Sequence, residues 1–542
     1  MRPWLVLTAA ILLASNPAQA APSIAKAPAG TVQGSESAGM RTFFGIPYAE
    51  PPVGNLRWRP PVPLAKWDGV RPATELGKAC FQPTSKLATV YNPASPPPMS
   101  EDCLTLNVWA PAKAKKAPVL VWIHGGALQT GFSGEGTYNG GKLADRGLVV
   151  VSINYRLGVL GWLAHPELSA ESKDGISGNY GLLDQILALR WVHDNIAAFG
   201  GDPSNVTIMG ESAGALSVMF LMQSPPAQGL FHKAIAQSAY MITMPDLKRD
   251  TFGQPSGESV GTYVQQHLGA SGIAAMRAME PKALLEAAAK LNYSPWASVD
   301  GKILPDQTVN TFDQKKQSRI PMLAGFNQGE IRSLTILLPT APATAADYEK
   351  EIRARYGDLA DAFLKLYPAT DYRESMLAAT RDSLYGWTAE RLVRDQAALG
   401  QRAYLYLFDH GYPAMDKAGL HAFHASELPY MFGTFDKLGP NWPKIPATAT
   451  EQSMSEAMLD YWASFAATGK PTAKNQPAWP AYGATRSFMH FASTPQPASE
   501  LMPGMFKLNE EVMCRRRAQG NQPWNWNVGI ASPSMPPKAA GC

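Results

Sequence analysis

Met209-Gly210-Glu211-Ser212-Ala213-Gly214 is the stretch on which the reading of this chain turns. It has the pattern G-x-S-x-G, and its flanks decide what that pattern is worth. Asn205-Val206-Thr207-Ile208-Met209 before it is short, β-branched and apolar, as a buried strand is. Residues 213–222 after it are small, then apolar, as a buried helix is. A strand that turns sharply into a helix lifts the serine clear of the sheet, the setting of a nucleophile. Gly210 and Gly214 leave the room such a turn needs. The helix start adds free backbone N–H groups and a positive dipole end beside any anion formed at Ser212. The pattern alone also fits an ordinary turn with a solvated serine. A base, an acid and further N–H donors must therefore come from elsewhere in the chain.

Upstream, Pro118-Val119-Leu120-Val121-Trp122-Ile123 is a nearly continuous apolar run, as expected of a strand buried on both faces. It leads into His124-Gly125-Gly126-Ala127. Glycines just after a buried strand let backbone N–H groups turn toward a ligand, the loop type that completes an oxyanion hole. An ordinary glycine turn has the same look. His124 is expected to hold this loop rather than to act as a base. Residues 42–49, 100–109 and 148–154 read as further strands. Residues 182–198 carry helical apolar spacing, stopped by Gly200-Gly201-Asp202-Pro203.

Downstream, 233–238 reads as a strand, 240–305 as an irregular excursion with one helical piece near 281–291, and 320–325 as a strand. That strand delivers Phe326-Asn327-Gln328-Gly329-Glu330 at its C-terminal end, where active residues of open parallel sheets gather. Residues 345–367 and 373–398 look helical, 402–408 looks like a strand, 421–430 like a loop entering a short helix, and 452–468 like a helix. The alternation of strands and helices predicts the α/β class, with a mostly parallel central sheet and helices on both faces.

Residues 1–20 have the make-up of a secretory signal. Arg2 is followed by an apolar core over 4–14, too short to span a bilayer, and by Ala18-Gln19-Ala20 as a small-x-small cleavage site. This predicts a secreted or periplasmic protein. Residues 21–542 show no composition break and read as one domain, with 518–542 unplaced. The formal charge of +4 is near neutral, and the one basic run, Arg515-Arg516-Arg517, reads as a solvated patch. Neither nucleic acid nor a membrane is expected as a partner; the oligomeric state stays open. Cys80, Cys103, Cys514 and Cys542 allow three pairings, of which Cys80–Cys103 with Cys514–Cys542 is the most economical in sequence. No pair has the spacing of a metal site.

Three stretches together resemble the type-B carboxylesterase family of the α/β-hydrolase fold, to which cholinesterases and bacterial para-nitrobenzyl esterases belong. They are Glu101-Asp102-Cys103-Leu104-Thr105-Leu106-Asn107-Val108, the run from Phe199-Gly200-Gly201-Asp202-Pro203 to Gly214, and His424-Ala425-Ser426-Glu427-Leu428-Pro429-Tyr430-Met431-Phe432-Gly433. The likeness covers about 30–471 and is weak past Pro480. It implies Ser212 as nucleophile, Glu330 as acid and His424 as base, in the chain order of that fold. His410 and His421 are rivals, but only His424 has the family's spacing to Glu427 and to Phe432-Gly433. The resemblance also implies an oxyanion hole from the N–H groups of Gly126, Ala127 and Ala213. Ala127 stands where the family has glycine, at a cost of order 1 kcal/mol if φ is positive there. Glu211 would lie near the site, either holding water or as a buried structural carboxylate, and Ser238 would stand near the acid. Arg57 with Glu101, and Arg156 with Asp202, would be structural ion pairs. The family pattern adds weight to Cys80–Cys103.

The implied activity is hydrolysis of carboxylic esters through an acyl-enzyme, on a small-molecule ester, with no metal or cofactor. Two other readings are an esterase for a bulky natural ester (a phenolic, a polyester fragment or a mycotoxin side-chain ester) and a non-catalytic adhesion module. The latter is disfavoured because all three triad positions are kept. Specificity would lie in 240–305 and 334–339. Residues 81–102 have no Trp, so little preference for choline is expected; Tyr91 is the nearest candidate, and its shifted spacing leaves it poorly placed to face the pocket.

Overall fold

Strand 117–123 shows how the sheet is buried in the computed structural model, which describes residues 20–84, 89–93, 95–524 and 528–542. Val119, Val121 and Ile123 enter one apolar cluster, and Leu120 and Trp122 enter another on the opposite face. Side chains alternate across a strand, so a run that is apolar at every position must be covered on both sides. Helices Tyr180–Asn195, Ala213–Gln223 and Trp387–Ala398 cover the first face, and Ala449–Thr468 covers the second. Every residue of Ala213–Gln223 is buried, which accounts for its lack of a polar stripe.

Among the described residues the main sheet has thirteen strands. Twelve lie in the order Ala21–Ala27, Gly30–Ser37, Met40–Pro47, Thr105–Pro111, Val149–Ile153, Ala117–Ile123, Gly201–Glu211, Lys233–Gln237, Met322–Asn327, Ala403–Phe408, Ser487–Phe491 and Pro495–Ser499, and Val70–Pro72 pairs off this path. Neighbours from Val149–Ile153 to Ser487–Phe491 are parallel. The flanking pairs that close the sheet on either side are antiparallel. The α/β-hydrolase fold with a mostly parallel sheet is therefore observed. From Ala117–Ile123 the chain goes first to Val149–Ile153 on one side and then to Gly201–Glu211 on the other. The crevice at that reversal is where such sheets place their ligands. The glycine loop and Ser212 both leave the sheet there.

Three regions differ from expectation. Residues 240–305 hold three helices, Gly257–His267, Ile273–Arg277 and Pro281–Lys290, packed with Trp58, Val159 and Leu160 in a cluster of their own. The first begins on a Ser256 cap and contains Gly261, where a Cβ would lie 1.8 Å from the Ala164 carbonyl oxygen. Its glycines lower helix propensity in the sequence while permitting the close packing. The basic run is not a solvated patch. Arg515 and Arg516 are buried, Arg515 on Asp358 and Glu511 and Arg516 on the Ser532 hydroxyl, while Arg517 pairs with Asp313. The tail is placed as well. Helix Met505–Gln519 packs through Leu508 and Val512 on Tyr348, Tyr356 and Phe363, and Trp524 lies against Trp387. Disulfides join Cys80 to Cys103 and Cys514 to Cys542. Residues 1–19, most of the proposed signal, lie outside the described residues. No helix among the described residues is long and apolar enough to cross a membrane.

Candidate active site

Ser212 sits at φ 54°, ψ −121°, between strand Gly201–Glu211 and helix Ala213–Gln223. That backbone is held by crowding. A Cβ at Gly210 would lie 2.3 Å from the Gly214 carbonyl carbon, and one at Gly214 would lie 2.0 Å from the Ile123 carbonyl oxygen. Ser212 N–H donates to the Gln237 carbonyl at 2.9 Å, tying the elbow to the next strand.

The glycine loop lies alongside. A Cβ at Gly125 would lie 3.1 Å from Ser212 Cβ. Gly126, Ala127 and Leu128 have φ of 103°, 55° and 58°. Ala127 therefore does occupy the left-handed region where its Cβ carries a cost. Among the described residues nothing accepts from the backbone N–H of Gly126, Ala127 or Ala213. His124 holds this loop as expected. Its ring stacks on Tyr155 at 4.5 Å, its Nδ1–H donates to the Gly125 carbonyl, and the Tyr155 hydroxyl donates to the His124 carbonyl. Burial pulls its pKa down to about 4, so the ring is neutral.

Glu330 follows strand Met322–Asn327 and is fully buried. Oε1 accepts from the Asn327 N–H at 2.8 Å and from the Ser238 hydroxyl at 2.6 Å. Oε2 pairs with Nδ1 of His424, which arrives from a different loop. Nε2 of His424 lies 3.0 Å from Glu211 Oε1. That contact is close but not aligned as a hydrogen bond, and Glu211 Oε1 has no hydrogen-bond partner. Glu330, His424, Ser238 and Glu211 are thus brought together. Among the described residues no hydrogen bond joins the Ser212 hydroxyl to His424. The rivals are placed elsewhere: His410 on Glu451 and the Ala492 carbonyl, and His421 on Asp409 and Asp416.

A third glutamate completes the electrostatics. Glu427 is fully buried and accepts from Gln237 Nε2 at 2.9 Å and Asn327 Nδ2 at 2.6 Å, while Trp462 holds Gln237 in turn. In the sequence Glu427 was no more than a spacing marker. Burial pushes Glu211 up to about 8, His424 opposing and Glu427 and Glu330 adding repulsion. Burial also lifts Glu427 to about 7, against its Asn327 hydrogen bond and with Glu330. For His424 burial acts downward, but Glu211, Glu330 and Glu427 outweigh it and raise the pKa to about 9. One imidazole faces three buried carboxyls, so the site favours its protonated form.

Aromatic rings wall the imidazole. Tyr385 is 5.4 Å from it and stands in a π-turn, Asp382–Gly386, between helices Tyr372–Arg381 and Trp387–Ala398. Such turns within helices are frequent at functional sites. Tyr240 meets Tyr385 at 6.0 Å. Tyr91 is beside the site rather than turned from it. Its hydroxyl donates to the His424 carbonyl at 3.0 Å and shares a 2.6 Å bond with Ser333. One ion pair departs from expectation. Arg57 pairs with Glu101 at 2.7 Å, but Arg156 pairs with Asp184, not Asp202. Asp184 projects from helix Tyr180–Asn195 and is fully buried against the guanidinium, whereas Asp202 is spent on the Ser204 N–H and hydroxyl.

Comparison with known proteins identifies the family and the fold. The profile of the Carboxylesterase family matches residues 21–507. The chain is 36% identical over 484 residues to fumonisin B1 esterase of Sphingopyxis macrogoltabida, covering 86% of this chain and 85% of that one. It is 35% identical over 468 residues to para-nitrobenzyl esterase of Bacillus subtilis strain 168, covering 84% and 91%. A solved para-nitrobenzyl esterase superposes with TM-score 0.75 at 32% identity over 90% of this chain and 99% of that one. The Geobacillus stearothermophilus carboxylesterase gives TM-score 0.74 at 31% identity, with the same coverage. The chain belongs to the carboxylesterase family and is a carboxylic-ester hydrolase.

Proposed function

We propose that Ser212, His424 and Glu330 are the nucleophile, base and acid of this ester hydrolase. The buried pairing of Glu330 with His424 Nδ1, beside a serine at positive φ, is the observation that carries the assignment. His424 Nε2 takes the Ser212 proton as the oxygen attacks the ester carbonyl, and then gives it to the departing alkoxide. Glu330 keeps Nδ1 protonated, so that Nε2 is the accepting atom, and stabilises the imidazolium. Glu211 and Glu427 favour the same charge. Backbone N–H groups of Gly126, Ala127 and Ala213 take the oxyanion, each worth ~3 kcal/mol. Water then attacks the acyl-enzyme by the same route. Substrate entry must move Nε2 from Glu211 toward the serine hydroxyl, a change within the reach of catalytic groups that tighten only on binding. The test is active-site titration with a p-nitrophenyl phosphonate: one equivalent of p-nitrophenol is released and the adduct maps to Ser212. An adduct elsewhere removes the assignment.

The substrate reading is a general carboxylesterase. The likeness to an esterase that carries the name of fumonisin B1 keeps a bulky natural ester in view. A panel varying acyl length and leaving-group bulk separates the two. A tenfold or greater preference for the bulky ester in kcat/KM favours the specialised reading. Residues 1–20 would export residues 21–542, giving a secreted or periplasmic enzyme; two disulfides support that reading.

A further inference from the structure

We propose that His421 is a positioning residue: held as an imidazolium between Asp409 and Asp416, it pins the loop that carries His424. The proposal rests on His424 being the base. Within five residues the loop has three non-glycine residues at positive φ, His421 at 20°, Ala422 at 42° and Ala425 at 68°. Such backbone persists only where its surroundings over-determine it. Three bonds hold the later part of the loop. Gly329 N–H donates to the Ala422 carbonyl at 2.9 Å, Asn327 Nδ2 to the Phe423 carbonyl at 2.9 Å, and the Tyr91 hydroxyl to the His424 carbonyl at 3.0 Å.

The start of the loop is held by a side chain instead. His421 Nε2 is 2.9 Å from Asp409 Oδ1, and Nδ1 is 2.9 Å from Asp416 Oδ1. A neutral imidazole has one N–H, so two carboxylates facing the two nitrogens require both to be protonated. Asp409 follows strand Ala403–Phe408, Asp416 lies on helix Pro413–Lys417, and His490 on strand Ser487–Phe491 reaches the other oxygen of Asp409 at 3.0 Å. These are the titratable groups around His421. Gly411 is flush against the ring, where a Cβ would lie 2.4 Å from Nδ1. On its other side His421 abuts the turn of the acid: a Cβ at Gly329 would lie 1.7 Å from the His421 carbonyl oxygen. A shift of His421 is therefore passed to both Glu330 and His424. The Asp409 and Asp416 hydrogen bonds raise the pKa of His421 against its partial burial. The double bridge is thus complete below that raised value, while both carboxylates are ionised, and is lost as pH rises through it.

The test compares three variants of the full chain on p-nitrophenyl butyrate. His421→Gln should lower kcat about tenfold with KM within about twofold, since a misaligned base costs turnover rather than binding. Asp416→Asn should lower kcat about threefold. His490→Gln, which removes the contact to the other oxygen of Asp409 and leaves both bridges to His421 in place, should leave kcat unchanged. The native enzyme should lose kcat on its alkaline limb, and His421→Gln should lack that loss. Native kcat in His421→Gln, an equal loss in His490→Gln, or a loss confined to KM would each overturn the proposal. If His421→Gln does not fold, Asp416→Asn decides, and native kcat with a native alkaline limb overturns it. His424→Ala tests the base assignment separately. If that variant is inactive and His421→Gln is not, the base stands and the clamp falls.

Discussion

The elbow at Ser212 and the loop around His424 both hold non-glycine residues at positive φ, but by different means. At the elbow the restraint is steric. Gly210 and Gly214 flank the serine, and a neighbouring strand presses on them at Ile123. The base loop has no glycine between Leu420 and Leu428. It is fastened by Gly329, Asn327, Tyr91, Asp409 and Asp416, five residues from three parts of the chain. Each left-handed residue costs ~1–2 kcal/mol. The elbow meets that cost through close backbone packing, the base loop through hydrogen bonds and ion pairs. Ser212 is therefore held all-or-none, while the loop of His424 can be loosened by degrees.

The largest expected effect tests the chemistry the two regions share. Ser212→Ala should lose roughly 10⁶-fold in kcat, with a melting temperature close to native. His424→Ala should lose a similar factor, because the groups act as a unit. Substantial turnover by pure Ser212→Ala would move the nucleophile elsewhere. The second test breaks the elbow itself. Gly214→Ala drives a methyl into the Ile123 carbonyl, 2.0 Å away. It should cost more than about 4 kcal/mol and give little soluble protein, unlike any single change in the base loop. Native-like yield and stability would show that the elbow is not held by crowding.

Losing the Cys80–Cys103 disulfide should cost ~3 kcal/mol on the chain-entropy estimate. It closes the loop that carries Tyr91, so the base loop should loosen and the elbow should not. The expected signature is a lower denaturant midpoint with a reduced kcat and full phosphonate labelling of Ser212. Unchanged kcat would uncouple Tyr91 from the base.

A smaller effect concerns charge. Glu211 is the largest influence raising the pKa of His424, so Glu211→Gln should move the acid limb of kcat/KM to lower pH. The sign follows from His424 being a base: it must be neutral to act, and removing a carboxylate releases its proton sooner. The same raised pKa makes the protonated ring a stabilising feature below its unfolded value near 6.5, lost as pH rises through about 9. An acid limb that stays in place would leave Glu211 a structural group. The smallest effect is the preference for choline. The Tyr91 hydroxyl is committed to Ser333 and the His424 carbonyl, and tyrosine binds cations less well than tryptophan. Butyrylcholine should be hydrolysed no more than about tenfold better, in kcat/KM, than 3,3-dimethylbutyl butyrate. A larger ratio that is lost on Tyr91→Ala would reveal a cation site in the base region.

The legible parts of the molecule were those whose restraints lie close together in the chain. The strand at 117–123, the glycine loop and the elbow could be read from runs and spacings. The excursion at 240–305 could not, because its first helix is built around glycines whose purpose is contact with Ala164. Arg515-Arg516-Arg517 looked solvated because nothing nearby in sequence announces Asp358 or Ser532, its partners. Arg156 was matched with Asp202 rather than Asp184 for a related reason: both carboxylates lie within fifty residues, and only the helix direction selects one.

By itself the amino-acid sequence determined the fold class and the strand–turn–helix setting of Ser212, and through its resemblance to the carboxylesterases it pointed to Glu330 and His424 as the proposed partners. Those follow from periodicity and from short motifs, which are local. Only the tertiary structure decided that Glu330 and Glu211 flank one imidazole, that Tyr385 stands beside it in a π-turn, that Tyr91 caps the base loop, and that Ala127 sits at positive φ. The first three depend on groups brought together from distant positions in the chain. Burial then sets how strongly they act, because charges and hydrogen bonds gain their strength from the exclusion of water.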